Sequence, residues 1–198
     1  MTVRVVLLDS GGANLGSVQA AFERLGVTAP VSADPEVIRA ASHVVLPGVG
    51  AARATMARLQ DNGLDRLIPE LPQPLLGICV GMQVLHEHSE EGATDCLGLL
   101  PGRIRRLPGD NGARVPHMGW NRLGGLAAHA LLDGLDDGWM YFVHGYAADV
   151  GEQTLADCEH GTRFGAVVGD GRRFGVQFHP ERSGAAGARL LQNFLALR

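Results

Sequence analysis

Short apolar runs alternate with amphipathic stretches through the first half of the chain, and that alternation predicts strands threaded between helices. Arg4-Val5-Val6-Leu7-Leu8-Asp9 reads as a buried first strand, and Ser10-Gly11-Gly12-Ala13 as a turn. Asn14 stands where it would cap the next helix, whose Leu15, Val18, Phe22 and Leu25 recur at helical spacing until Gly26. Positions 28–32 form a second strand, and Asp34-Pro35-Glu36 opens a helix with proline in its first turn. His43-Val44-Val45-Leu46 is a third strand running into Pro47-Gly48-Val49-Gly50, followed by helical stretches at 51–60 and 64–70. The apolar run after Pro74 is a fourth strand, and a helix resumes at Met82-Gln83-Val84-Leu85. Strands alternating with helices specify an α/β fold, with a mostly parallel sheet and helices on both faces. Sites in such sheets lie beyond the carboxyl ends of the strands, where Asp9, Pro47 to Gly50 and Cys79 all fall.

The rhythm changes after Glu91. Positions 96–107 and 139–168 read as shorter, antiparallel-type strands with glycine turns, and 172–179 as one more strand. A last helix presents Ala188, Leu191, Phe194 and Leu195 on one face. With no repeat, low-complexity run or linker, residues 1–198 are read as one domain.

Composition narrows the chemistry. A net charge of -4 argues against a general nucleic-acid binder. All 17 basic residues are arginine, which excludes lysine Schiff-base chemistry and a P-loop lysine. Cys79, Cys96 and Cys158 are odd in number and spaced for neither a zinc site nor a disulfide framework, so a reducing cytoplasm is the expected setting. The N-terminus lacks a signal-peptide layout, and no apolar run reaches membrane-spanning length.

Cys79 is the first candidate for chemistry. It stands between Gly77 and Gly81 at a strand-to-helix switch, the thiol counterpart of a nucleophile elbow. Side chains at the two glycines would crowd the strand and helix that meet there. The Val80 amide would face a developing oxyanion, and a helix start favours a thiolate. The alternative is a small buried cysteine at a tight turn. Of eight histidines, His43, His86, His88, His117, His129, His144, His160 and His179, the last is best placed as a base. Pro180 keeps His179 extended, so Glu181, two residues on, is expected on the same side to orient the imidazole. Cysteine, histidine and glutamate then supply nucleophile, base and orienter for acyl transfer.

Pro47-Gly48-Val49-Gly50 is either a plain glycine turn or a second oxyanion donor, through a Val49 amide left free to rotate. Pro116-His117-Met118-Gly119-Trp120-Asn121 is either a partner surface or a tryptophan covering a core edge. His144 reads equally as a satisfied core histidine, and Glu90-Glu91 as a solvated pair.

Gly77-Ile78-Cys79-Val80-Gly81-Met82-Gln83, taken with Gln177-Phe178-His179-Pro180-Glu181, resembles the class I (triad) glutamine amidotransferases. The motifs around Pro47, Ser89-Glu90-Glu91, Pro116 to Asn121, Tyr141-Phe142-Val143-His144 and Ser183 to Gly187 are similar to those of one branch, the glutaminase subunits of imidazole glycerol phosphate synthase. The resemblance implies a flavodoxin-like sheet and a Cys79-His179-Glu181 triad that hydrolyses glutamine through a thioester without a cofactor or metal. It implies an oxyanion site at Val49 and Val80. Glutamine would be held by Gln83 and Glu91 and by backbone near Gly48, Gly50, His144 and Gly145. It also implies a heterodimer with a (β/α)8-barrel synthase (cyclase) subunit that receives the ammonia. Asn14, Pro116, His117, Met118, Trp120, Asn121 and Tyr141 would face that subunit. Two departures stand out: Gly145 replaces the usual Ser or Thr, and Ser10 an aromatic residue. Rival readings are another detached glutaminase, a cysteine peptidase or γ-glutamyl hydrolase on a similar fold, and a silent regulatory module.

Overall fold

Val5–Leu8, buried at all four positions, forms β1 at the heart of the first half. In this computed structural model residues 3–11, 14–109, 112–135 and 138–198 are described. Of the expected turn after β1, Gly12 and Ala13 lie outside them. In chain order follow α1 (Leu15–Arg24), β2 (Val31–Ser32), α2 (Pro35–Ala40), β3 (His43–Gly48), α3 (Ala52–Asp61), α4 (Leu64–Glu70), β4 (Leu75–Cys79) and the single turn α5 (Val80–Gln83). The second half adds β5 (His88–Ser89), β6 (Thr94–Asp95), β7 (Arg103–Arg106), β8 (His117–Arg122), β9 (Trp139–His144), β10 (Tyr146–Ala148), β11 (Thr154–Glu159), β12 (Arg163–Asp170), β13 (Arg173–Val176) and α6 (Gly184–Ala196).

Among the described residues one sheet runs β2-β1-β3-β4-β13-β12-β10-β7-β5-β6, with β11 on β12. The pairs from β2 through to β13 are parallel. From β13 to β12, β10 and β7 they are antiparallel. The order reverses beside β1, so right-handed crossovers place α1 on one face of the sheet and α2, α3 and α4 on the other. β3 and β4 are buried at every position, as a strand covered on both faces must be. Fully burying each of their larger aliphatic side chains contributes roughly 1.5–3 kcal/mol.

Several boundaries differ from the sequence reading. Within 96–107 only Arg103–Arg106 is a strand, because Gly98 at φ 63° and Gly102 at φ 96° turn the chain on either side of Pro101. The helix after the elbow starts at Val80, immediately after Cys79. The closing helix buries Gly187, Leu190, Leu191 and Phe194 rather than Ala188 and Leu195. Its register is set at Gly187, where a β-carbon would come 2.0 Å from the Pro180 carbonyl oxygen. Asn14 precedes α1, but its side chain makes no capping bond. The cap, ordinarily worth about 1 kcal/mol, is forgone for another partner.

β8 was not anticipated as a strand. It pairs antiparallel with β9 in a separate two-stranded ribbon, Trp120 opposite Tyr141. Its buried end is His117, a polar residue, so the hydrophobic alternation that marks most strands is hidden.

Candidate active site

Three glycines shape the elbow. A β-carbon on Gly81 would lie 1.8 Å from the Leu46 carbonyl oxygen, one on Gly77 2.6 Å from that of Gly81, and one on Gly48 2.5 Å from the Gly81 nitrogen. β3, β4 and α5 therefore meet at backbone distance, as only glycine permits. Between them Cys79 is held at φ 54°, a left-handed backbone that costs a residue with a β-carbon about 1–3 kcal/mol. Such strain persists where the surroundings fix it, and here it lifts the thiol into a cavity of about 140 Å³. The cavity is lined by Val49, Gly50, Cys79, Val80, Gln83, Glu91, Val143, His144, Gly145, Tyr146 and His179.

Gly48 lies outside that lining. It is buried opposite Cys79 in the sheet, and its lack of a side chain answers the close approach of Gly81. The positive φ in this turn belongs to Gly50, at 102°.

His179 and Glu181 come together by a route other than the expected one. Pro180–Arg182 is a 3₁₀ turn, not extended chain, and the turn folds the carboxylate back beneath the ring. His179 Nδ1 lies 2.9 Å from Glu181 Oε1, and the glutamate side chain is 0% exposed. Ser183 Oγ donates to the His179 carbonyl at 2.6 Å and accepts the Tyr141 amide at 3.0 Å, which fastens this turn to β9. Burial acts to lower the His179 pKa; hydrogen bonds and charge from Cys79 and Glu181 outweigh it and raise it to about 10. At neutral pH the imidazole thus holds a proton it can give to a leaving group.

Gln177 went unassigned in the sequence reading although it stands in the His179 motif. Its Nε2 lies 3.8 Å from Cys79 Sγ, and its Oε1 accepts from Gln83 Nε2 at 3.0 Å. Gln83 Nε2 also donates to the Tyr146 carbonyl at 2.8 Å, so that side chain is fixed across the cavity floor. Glu91 is no free surface acid: its Oε2 accepts the Ala52 amide at 2.7 Å, capping α3 from a distant loop while lining the cavity.

His117 is corrected as an outward-facing residue, whereas Asn121 is half-buried. His117 is buried, its Nδ1 3.1 Å from His144 Nε2, while His144 Nδ1 lies 2.9 Å from the Tyr146 carbonyl. A carbonyl only accepts, so His144 carries its proton on Nδ1 and accepts from His117. Burial, and for His117 the neighbouring His160, hold their pKa values down to about 3 for His144 and about 4 for His117, so both rings are neutral. Asn121 Nδ2 turns inward to the Glu159 carbonyl at 2.9 Å.

The outer face of the ribbon is apolar. Met118 is 65% exposed, and Trp120 and Trp139 are each 52% exposed. Trp139 was not singled out in the sequence. Trp120 meets Tyr141 edge to face at 5.8 Å, and the Arg182 guanidinium sits 5.0 Å over the Tyr141 ring. Pro116 is exposed at the end of the same strand. Two tryptophans and a methionine gathered on one face form an exposed apolar patch of the kind that suits a protein partner. Among the described residues no cluster is arranged to hold a metal ion, and no helix is long and apolar enough to cross a membrane.

Cys96 and Cys158 lie outside the cavity. Burial, with Asp95 nearby, pushes the Cys96 thiol up to about 11. Burial also pushes Cys158 up to about 12. Both stay protonated at neutral pH and are poor nucleophiles. Mild alkylation is expected to modify Cys79 first, read by peptide mass mapping; faster labelling of Cys158 with activity intact would contradict this.

The glutamine amidotransferase class-I family model matches residues 6–197. The imidazole glycerol phosphate synthase subunit HisH of Xanthomonas oryzae pv. oryzae is 56% identical over 194 residues, 98% of this chain and 97% of that protein. The subunit of the same name from Xylella fastidiosa is 53% identical over the same shares. A solved structure described as a glutamine amidotransferase superposes with a TM-score of 0.74 over 96% of both chains at 21% identity, a likeness of fold. On the match across its length, the chain belongs to the class I glutamine amidotransferase family.

Proposed function

We propose that this chain is the cytoplasmic glutaminase subunit of an imidazole glycerol phosphate synthase, with Cys79, His179 and Glu181 as its triad. The observation that carries the site assignment is the strained Cys79 opening into a cavity that His179 also lines, with Glu181 buried behind the imidazole. The Cys79 thiolate attacks the side-chain amide carbon of glutamine. The Val80 amide and, when turned inward, the Val49 amide receive the oxyanion. Collapse of the tetrahedral adduct breaks the C–N bond as His179 protonates the departing ammonia. Water, deprotonated by His179, then cleaves the thioester and releases glutamate. Glu91, Gln83 and the backbone at Gly50, His144 and Gly145 surround the glutamine. Gly145 lines the cavity and has no side chain to contribute, so its departure from Ser or Thr leaves the backbone contact available.

Ammonia passes to a (β/α)8-barrel synthase subunit seated on Met118, Trp120, Trp139 and Tyr141. That partner joins it to a phosphoribulosyl-formimino carboxamide ribotide, yielding imidazole glycerol phosphate and an aminoimidazole carboxamide ribotide. Mixing the purified chain with the barrel subunit, glutamine and the ribotide is expected to form glutamate and imidazole glycerol phosphate in equal amounts. Glutamate release with no imidazole product in the assembled mixture would overturn the reading in favour of another glutaminase or a hydrolase.

A further inference from the structure

Glu181 poses a problem of its own. A fully buried carboxylate needs donors to hold it. Among the described residues only two side chains supply them, and both converge on one oxygen. His179 Nδ1 reaches Oε1 at 2.9 Å, and Asn14 Nδ2 reaches the same Oε1 at 2.5 Å. Oε2 is buried without a hydrogen-bond partner in the protein. One of the two donors is the ring that the carboxylate is meant to aim. Asn14 is thus the independent anchor that keeps Oε1, rather than Oε2, toward the ring.

The residue has given up its local role to do this. It precedes α1 and leaves that helix without a side-chain cap. The amide orientation is set by chemistry: an ionised carboxylate only accepts, so Asn14 must present its N–H. Asn14 also lines a hollow of about 340 Å³ with Val49, Tyr141, Val143, His179 and Arg182, which adjoins the docking face.

We propose that Asn14 is a positioning residue of the glutaminase reaction, its side-chain amide clamping the Glu181 carboxylate so that the His179 ring keeps one tautomer and one aim. This rests on the triad reading above. It relocates Asn14 from a simple partner contact to the third layer behind the nucleophile, after His179 and Glu181.

Asn14→Asp and Asn14→Ala test it together, each in complex with saturating synthase subunit. Aspartate matches asparagine in shape and is an equally good helix cap, so it serves any packing or capping role better than alanine. It replaces the donor with a second carboxylate facing Glu181, so it fails at clamping. The expected result is a kcat for glutamine lowered about 10- to 100-fold by alanine and at least as far by aspartate, on the scale of lost positioning contacts. KM for glutamine, affinity for the partner and synthesis from added ammonia stay near wild type, and the melting temperature falls yet stays above the assay temperature. Aspartate that works as well as wild type, or better than alanine, overturns the proposal. So does a loss that appears only as weaker partner affinity and vanishes at saturation. Cys79→Ala run alongside separates the two readings. A wild-type complex no more active on glutamine than Cys79→Ala overturns the triad itself, whereas an active wild type equalled by both Asn14 variants overturns the clamp alone.

Discussion

Replacing Cys79 with alanine is expected to abolish glutamine-dependent synthesis while leaving synthesis from added ammonia intact. The groups nearest it converge on the thiol. Val80 follows it at the start of α5, and Gln177 Nε2 lies 3.8 Å away. The raised His179 pKa depends on it in part. Alanine keeps the backbone and fits the space, so the fold and the docking face survive. Catalysis through a covalent intermediate does not, and loss of a triad nucleophile costs on the order of 10⁶-fold in turnover. The acceptor chemistry lies in the other subunit and needs only ammonia. The measurement is imidazole glycerol phosphate formation by the assembled complex, once with glutamine and once with an ammonium salt. Near-normal glutamine turnover by the Cys79→Ala complex would refute the triad assignment.

The parallel half of the fold was legible because its strands are buried on both faces and read as unbroken apolar runs, as at Val44-Val45-Leu46 and Leu75-Leu76. The elbow was legible because glycine spacing has one steric meaning there, and the β-carbon distances at Gly77 and Gly81 express it. What escaped the reading depends on contacts between residues far apart in the chain. Glu91 meets the start of α3 across 39 positions, and Asn14 meets Glu181 across 167. Local propensity assigns the first to solvent and the second to a helix cap. His117 escaped for another reason. Polar side chains that satisfy one another inside a ribbon look from sequence like exposed ones. The His179-Glu181 pairing was read from the right residues with the wrong backbone, because Pro180 is as compatible with a 3₁₀ start as with extended chain.

The isolated chain is expected to be a poor glutaminase, with turnover rising about a hundred- to a thousandfold when the synthase subunit docks with its acceptor bound. That factor is what one oxyanion donor is worth. The turn that holds Val49 is built unevenly. On its N-terminal side Gly48 ends β3 opposite Cys79, and Ser10 Oγ holds the preceding Pro47 carbonyl at 2.5 Å. On its C-terminal side Gly50 sits at φ 102° with open space beside it. A rotation of the Gly48-Val49 peptide is thus borne by ψ at Gly48, φ at Val49 and compensating angles at Gly50, with the strand left in place. Glycine before this peptide and again after Val49 keeps the barrier low, although Gly48 is required first by the approach of Gly81. Val49 lines both the cavity at Cys79 and the hollow that runs to Tyr141 and Arg182, so a partner seated over Tyr141 would adjoin it. The prediction is that the Val49 amide turns toward the cavity when the partner seats, which confines glutamine hydrolysis to complexes able to use the ammonia. Turnover is measured for the chain alone, with partner, and with partner plus an acceptor analogue; equal rates in all three would refute the gate. Trp120→Ala provides a second reading. Its side chain is half exposed, so the fold should hold, while a buried tryptophan anchor at an interface is worth roughly 2 kcal/mol or more, about thirtyfold in Kd. Activation should then require correspondingly more partner, with alkylation of Cys79 unchanged in the free chain.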